Sequence, residues 1–387
     1  MNKEPMRFGF LRVASGRQVR RLAARILGLA MLLTVFGAVE AADGLHRPET
    51  GTSIARQASS SMSGRAAESL GVLPDEGRGR YLQAFRSAKR EIRIEICVLE
   101  DPEILQGLKQ ALERGVRVRA IVDNGKYQAL AAERNNAAEF LKSGDAQIHL
   151  SHPVFPRSFP KVILIDNDHF LLGSACLDST TFNQYRDYVY SSHSREILQD
   201  LSGLFENDWK HSAAPGREFP AYNPVSAFSS PDLIVAPINA TSGLVRFFQR
   251  ARKTLDVTSE LMGNPTLEAE LAAAVSRGVK VRLIAPETVN GGTPEIQALQ
   301  SLSLKKLAAA GVAIHVTRAP ENAQTPYMHA RSAVADRKVA YLGSISLSPD
   351  SATRNRGVGL IVRDAAVVKK LQRRFDADFA EKSIALQ

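Results

Sequence analysis

The sequence predicts an α/β fold made of two duplicated lobes, each a mixed, largely parallel sheet flanked by helices. Two observations predict it. Helical and strand patterns alternate in the same order twice along the chain, and residues of the two passes match in register at fixed offsets of 163 and 170 positions. With 387 residues, 44% of them hydrophobic, the chain has ample material for a core of this kind.

The amino-terminal stretch predicts export. Arg12, Arg17, Arg20, Arg21 and Arg25 precede an apolar run from Ile26 to Val39, and Val39-Glu40-Ala41 places small residues at a cleavage site. The run is shorter than the ~20 residues needed to span a bilayer. Residues 1–41 therefore read as a signal peptide, cleaved to give a periplasmic or secreted protein. Those residues hold seven basic and two acidic side chains, so a net charge of +10 for the whole chain becomes +5 for the remainder. So mild a basicity, with 6% aromatics, does not single out a nucleic-acid partner. Residues 42–77, rich in Ser, Gly, Arg and Ala, read as a flexible leader.

The first repeat, 78–213, opens with a helix over Tyr81–Lys89, a strand over Ile92–Ile96, a helix over Pro102–Glu113 and a strand over Val116–Val122. The second repeat, 232–387, runs through a helix over Leu244–Lys253, a strand around Leu255–Val257, a helix over Leu267–Ser276 and a strand over Val279–Ile284. Arg114-Gly115-Val116 parallels Arg277-Gly278-Val279, and Ala88 parallels Ala251, all 163 apart. Between the repeats, residues 214–231 hold Pro215, Gly216, Pro220, Pro224 and Pro231 and read as a linker. The two cysteines, Cys97 and Cys176, either pair in an oxidising compartment or stay as buried thiols.

A more specific block repeats at an offset of 170. Lys161, Asp166, Gly173 and Ser174 align with Arg331, Asp336, Gly343 and Ser344, and the second block begins Met328-His329-Ala330-Arg331. These blocks resemble the phospholipase D superfamily, whose signature is His-x-Lys-x4-Asp followed by Gly-Ser-x-Asn. The resemblance runs from residue 78 to 380 and includes Phe205-Glu206-Asn207-Asp208-Trp209, a segment that often closes the first repeat. It implies two phospholipase D-like lobes around a pseudo-two-fold axis, with both blocks meeting at one cleft.

The resemblance also implies a chemistry. A neutral imidazole attacks phosphorus to give a phosphohistidine, and a second imidazole protonates the leaving oxygen. Cations and hydroxyls hold the non-bridging oxygens. By position, His329 matches a catalytic histidine, Lys161 and Arg331 match the phosphate-binding cations, and Ser174 and Ser344 match the phosphate-contacting serines. Asp166 and Asp336 match the motif aspartates. Lys161, Arg331, Ser174 and Ser344 are accordingly expected to converge on one anion site between the lobes. If Lys161–Ile165 is a strand, Lys161, Ile163 and Ile165 share one face, which aims Lys161 at the strand end into a pocket, while Val162 and Leu164 pack on the other. No cofactor is implied, and no convincing metal-ligand spacing is found.

The departures are equally specific. Phe159 stands at the first histidine position, Arg331 replaces a lysine, and Cys176 and Ser346 stand where the family often has Asn. The family's orienting carboxylate is expected to serve the histidine of its own repeat. Its counterparts are Asp187 in the first half and Gly357 in the second, so neither half is expected to keep the pair. His152 and His169 are the other histidines considered as replacements. The leading expectation is a phosphodiesterase acting on a phosphodiester, phospholipid before nucleic acid, at a membrane surface and at an impaired rate. The competing expectation is an inactive protein of the same fold that binds a phosphate ligand or a partner.

Overall fold

The computed structural model describes residues 68–130, 146–225, 228–318, 322 and 324–386. The predicted signal peptide and the start of the leader lie outside the described residues. In the first half, β1 (Ser69–Leu73), α1 (Gly79–Ser87), β2 (Glu91–Ile96), α2 (Pro102–Glu113), β3 (Arg117–Val122), α3 (Asn124–Leu130) and β4 (Gln147–Leu150) come first. They are followed by β5 (Val162–Ile165), β6 (His169–Gly173), α4 (Ser179–Gln184), β7 (Tyr185–Ser192) and α5 (Arg195–His211). The second half holds β8 (Leu233–Ala236), α6 (Ala240–Arg250), β9 (Thr254–Thr258), α7 (Pro265–Ser276), β10 (Lys280–Pro286), α8 (Pro294–Ala309) and β11 (Ala313–Thr317). After these come β12 (Tyr327–Met328), β13 (Arg331–Ala335), β14 (Val339–Gly343), α9 (Pro349–Thr353), β15 (Gly357–Val362), α10 (Ala365–Ala377) and β16 (Ile384–Ala385).

Local chemistry explains why the two passes fold alike. Helix α2 starts where the Asp101 side chain accepts from the amides of Glu103 and Ile104, and α7 where Asn264 accepts from Thr266 and Leu267. Each has proline in its first turn, as a helix start tolerates. Both end at the repeated glycine, Gly115 or Gly278, each at φ +82°, a left-handed conformation that glycine adopts without penalty. Each chain then turns directly into β3 or β10.

The sheets are mixed. In the first, the order is β1-β7-β6-β5-β2-β3-β4, and β12 adds to β7. In the second it is β16-β11-β10-β9-β13-β14-β15-β8. The strands β2–β3–β4 and β9–β10–β11 pair parallel, whereas β5–β6 and β13–β14, joined by tight turns, pair antiparallel. One correction concerns the leader. Ser69–Leu73 is not flexible; it is β1, paired antiparallel to β7, with Leu70, Val72 and Leu73 buried.

Among the described residues, three apolar cores hold the two lobes together. One lies within each lobe. The third is shared: Val162, Leu164, Phe170 and Leu172 of the first sheet meet Val334, Leu342, Val358 and Leu360 of the second, along with side chains of α5 and α10. The alternation expected of β5 is present, since Ile163 and Ile165 belong to the first lobe's own core.

The lobes also exchange polar partners. Buried Arg186 pairs with Asp378 at 2.8 Å, and buried Arg356 pairs with Asp208 at 2.6 Å. Both arginines and both aspartates are 170 positions apart, and each pair joins one half to the other. Reciprocal exchange of this kind is what a pseudo-two-fold axis produces. Cys97 and Cys176 form a disulfide with Cα atoms 6.0 Å apart, within the ordinary range for such a bridge.

Candidate active site

The site is built by the same exchange. Strand β12 of the second half pairs parallel with β7 of the first, Tyr327 opposite Tyr185 and Met328 opposite Arg186. The next step along both chains brings His329 beside Asp187. Its Nδ1 lies 2.8 and 3.0 Å from the two carboxylate oxygens. Asp187 is fully buried and also accepts from Ser174 Oγ at 2.5 Å. The expectation that neither half keeps a histidine–carboxylate pair is therefore wrong. The pair is intact but shared between lobes, because β12 crosses to the other sheet.

The pseudo-symmetric position is where both losses fall. Phe159 donates its backbone N–H to the Arg356 carbonyl at 2.8 Å, with Ser158 bridged to Arg356. One step on, Phe159 is set toward Gly357 as His329 is toward Asp187. Phenylalanine and glycine thus replace the two members of one pair. The space has closed as well: a Cβ on Gly357 would lie 2.9 Å from Ile345 Cγ1. In the other half, Ala175 stands at the position of Ile345 and leaves room for Asp187.

The two cations differ in how they are held. Arg331 donates from Nε to Ser346 Oγ at 2.9 Å, pairs through its second terminal nitrogen with Glu260, and brings its first to 3.1 Å from His329 Nε2. Tyr327 donates its hydroxyl to Glu260 at 3.1 Å. Lys161 sits just before β5 at φ 54°, and its Nζ donates to the Ser174 carbonyl. Glu260 was not anticipated from the sequence. At the 163 offset its counterpart is Cys97, and at 170 that of Ser346 is Cys176, so the disulfide stands where the second lobe keeps the two partners of its cation.

These groups line one cavity of about 1000 Å³, with Phe159, Lys161, Tyr185, Glu260, His329 and Arg331 on its walls and the disulfide beside them. Burial pushes the Lys161 ammonium down to about 7, helped by repulsion from Arg331. Burial lifts Asp187 to about 6 against the pull of Lys161, Ser174 and Arg331. His329 is held well below its usual value by burial, then by Arg331 and Lys161. For Glu260, burial favours the neutral acid, but Arg331, His329 and Lys161 outweigh it and hold the pKa low. Near neutral pH the imidazole is uncharged. Its Nδ1–H faces Asp187, which fixes the tautomer, and its Nε2 lone pair faces the cavity and Arg331.

Four expected site residues lie elsewhere. Ser174 and Ser344 are buried with their hydroxyls already bonded: Ser174 accepts from the Tyr188 amide at 3.1 Å while donating to Asp187, and Ser344 accepts from the Val358 amide at 3.0 Å. Neither lines the cavity, so of the four residues expected to converge there only Lys161 and Arg331 do, and Ser174 is instead bonded to Asp187. Asp166 and Asp336 are at the far ends of β5 and β13. Each accepts from three consecutive backbone amides, Lys89–Glu91 and Arg252–Thr254 respectively. For both, burial raises the pKa, but those amides lower it further than burial lifts it. At about 3.3 Å per residue along a strand, Asp166 lies about 16 Å from Lys161, so these aspartates anchor the fold and do not touch the reacting atoms. His152 bonds the Pro220 carbonyl at 3.0 Å, and neither it nor His169 lines the cavity.

The family described as "Cardiolipin synthase, PLD-like domain" matches residues 81–209 and 244–379. Cardiolipin synthase A of Pseudomonas aeruginosa is 25% identical over 328 residues, covering 77% of this chain and 64% of its own length. The chain thus spans less than two thirds of that relative. Mitochondrial cardiolipin hydrolase of Xenopus tropicalis is 28% identical over 138 residues, 36% of this chain and 60% of its own. Among solved structures, phosphatidylserine synthase of Haemophilus influenzae shares the fold with a TM-score of 0.64 at 15% identity, over 82% of this chain and 87% of that one. Polyphosphate kinase of Porphyromonas gingivalis shares it at 0.59 and 17% identity, over 83% and 50%. A family match over both lobes, joined to a duplicated fold that brings the two motif blocks to one cavity, means that this chain belongs to the phospholipase D-like domain family of cardiolipin synthases.

Proposed function

We propose that this chain carries out phospholipase D-type chemistry on a phospholipid phosphodiester through a single histidine. The observation that supports it is the His329–Asp187 pair at 2.8 Å in a cavity shared with Lys161 and Arg331. A phosphodiester entering the cavity takes up donors of Lys161 and Arg331. Drawing Arg331 onto the phosphate releases the His329 Nε2 lone pair for attack. A P–N bond forms, the P–O bond to the leaving alcohol breaks, and Asp187 stabilises the charge that develops on the ring. With Phe159 in place of the second imidazole, the leaving oxygen draws its proton from Lys161, a group poised near neutrality, or from water. Water or an alcohol then attacks phosphorus and gives its proton to the neutral Lys161 or to solvent, the new P–O bond forms, and the P–N bond breaks with its electron pair returning to His329 Nε2. Relatives named as cardiolipin synthase and cardiolipin hydrolase support a phospholipid substrate.

The test is to incubate the purified protein with anionic phospholipid vesicles, and in parallel with a single-stranded oligonucleotide. Released alcohol and a phosphorus adduct on His329 are then measured. An adduct from lipid, absent in His329→Ala, agrees with the proposal. An adduct from the oligonucleotide alone would transfer the reading to nucleic acid. The loss of a second histidine–carboxylate pair at Phe159 and Gly357 favours a second reading, a binding protein. Phosphate-ligand binding with neither adduct nor turnover would select it.

Export is part of the same proposal. The amino-terminal sequence of the protein recovered outside the cytoplasm should begin near Ala42. Intact Met1 on a protein confined to the cytoplasm would rule the export out.

A further inference from the structure

At the end of the first sheet away from the catalytic cavity, a second cluster of reactive side chains has no part in this chemistry. The turn between β5 and β6 is held by the Asp168 amide, which donates to the Ile165 carbonyl at 2.8 Å. His169 opens β6. The pairing of Phe170 with Ser192, carried one residue back along β6 and one forward past β7, sets His193 opposite His169. Their rings are 4.9 Å apart and tilted by 35°. Each Nδ1 lies 3.3 Å from the same Asp168 Oδ2, and the His193 Nδ1 is also 3.2 Å from the Asp168 carbonyl. One donor atom from each of the three side chains falls within 4.8 Å of the others. Two cations that reach this turn, Arg90 and Arg93, are bound to the Asp166 carbonyl and to Asn167 and leave Asp168 uncompensated by them.

The spacing suits an ion better than hydrogen bonds. N–H···O bonds centre on about 2.9–3.0 Å, so two contacts of 3.3 Å converging on one carboxylate oxygen are both long. Around a tetrahedral ion with bonds of about 2.0–2.1 Å, neighbouring ligand atoms lie about 3.3–3.4 Å apart. Two imidazoles with one carboxylate select a borderline divalent ion over magnesium or calcium. We propose that Asp168, His169 and His193 form a zinc-type divalent-cation site, its coordination completed by water. An ion there would tie the β5–β6 turn to the end of β7, just before α5 begins, and would stabilise the first lobe by binding the folded state alone.

The experiment uses the untagged, full chain, stripped with a chelator and titrated with zinc chloride by calorimetry, with thermal unfolding followed with and without zinc. Wild type should bind one zinc ion at this site and unfold at a higher temperature in its presence. His169→Ala and His193→Ala should each weaken that binding by at least about 10- to 100-fold, the loss that even outer partners of a metal site produce, and should abolish the zinc-dependent rise. Asp168→Asn, at a side chain 68% exposed, serves as a variant that keeps the fold. His152→Ala should change nothing. Equal binding by wild type and all three cluster variants would place the ion elsewhere and overturn the site, as would absence of binding by folded wild type at millimolar zinc.

Discussion

His329 and Asp187 come from opposite halves of the chain, and that one fact revises the chemistry read from the sequence. His329, Lys161 and Arg331 were legible because the 170-residue offset lines them up with a motif. Asp187 was legible as a carboxylate in the right place. Its partner was not, because a repeat in sequence says nothing about which lobe a strand joins. Glu260 was hidden for a different reason: its counterpart is Cys97, so no repeat marks it. The charge states make a prediction at this scale. Asp187, lifted to about 6, must be ionised to hold the Nδ1–H, so activity should rise as pH passes about 6. Lys161, lowered to about 7, must be protonated to hold phosphate and donate its proton, so activity should fall as pH passes about 7. The pH–rate profile should be a narrow bell between those values. Lys161→Met should lower the rate and remove the falling limb. A flat profile from pH 5 to 9 would disprove these assignments.

The elements show what the motif aspartates and the lost pair do. Helix α2 was read to the residue and α7 two residues late, at Leu267, because the capping Asn264 and Pro265 that start it were not weighed, whereas the repeated Gly115 and Gly278 follow both ends. Strand β1 was missed because its five residues follow a polar, small-residue stretch and pair only with the distant β7. Asp336 receives the amides of Arg252, Lys253 and Thr254 at the start of β9. Asp336→Ala should therefore cost about 1–3 kcal/mol of stability in denaturant unfolding, with the turnover of the folded protein unchanged. Lost turnover at unchanged stability would return Asp336 to the chemistry. Rebuilding the second pair needs three changes, since Ile345 fills the space that a side chain at 357 would enter. Phe159→His with Gly357→Asp and Ile345→Ala should raise turnover by about 10²- to 10⁴-fold, the contribution typical of one general acid–base group. Without Ile345→Ala the gain should be much smaller. No gain from the triple variant would show that the missing pair does not limit the rate.

At the scale of the molecule, the duplication was plain in the sequence, but the exchange between lobes was not. Arg186 and Arg356 are among the largest fully buried side chains, and each meets an aspartate from the other half. Removing Arg186 leaves buried Asp378 with only its longer contact to Arg374 at 3.5 Å, so Arg186→Met should cost up to about 3–5 kcal/mol. Because Arg186 lies in β7 opposite Met328 and directly before Asp187, the substitution should also disturb the His329–Asp187 contact. The exchange can be tested at its chemical consequence, by the rate at which phosphorus is transferred to His329 in a single turnover, compared between wild type and Asp187→Asn. If the carboxylate of one lobe orients the histidine of the other, the substitution should slow adduct formation by about 10²- to 10⁴-fold while binding of a phosphate ligand stays within a few-fold. Adduct formation at the wild-type rate in Asp187→Asn would mean that the shared pair is not the working part of this site.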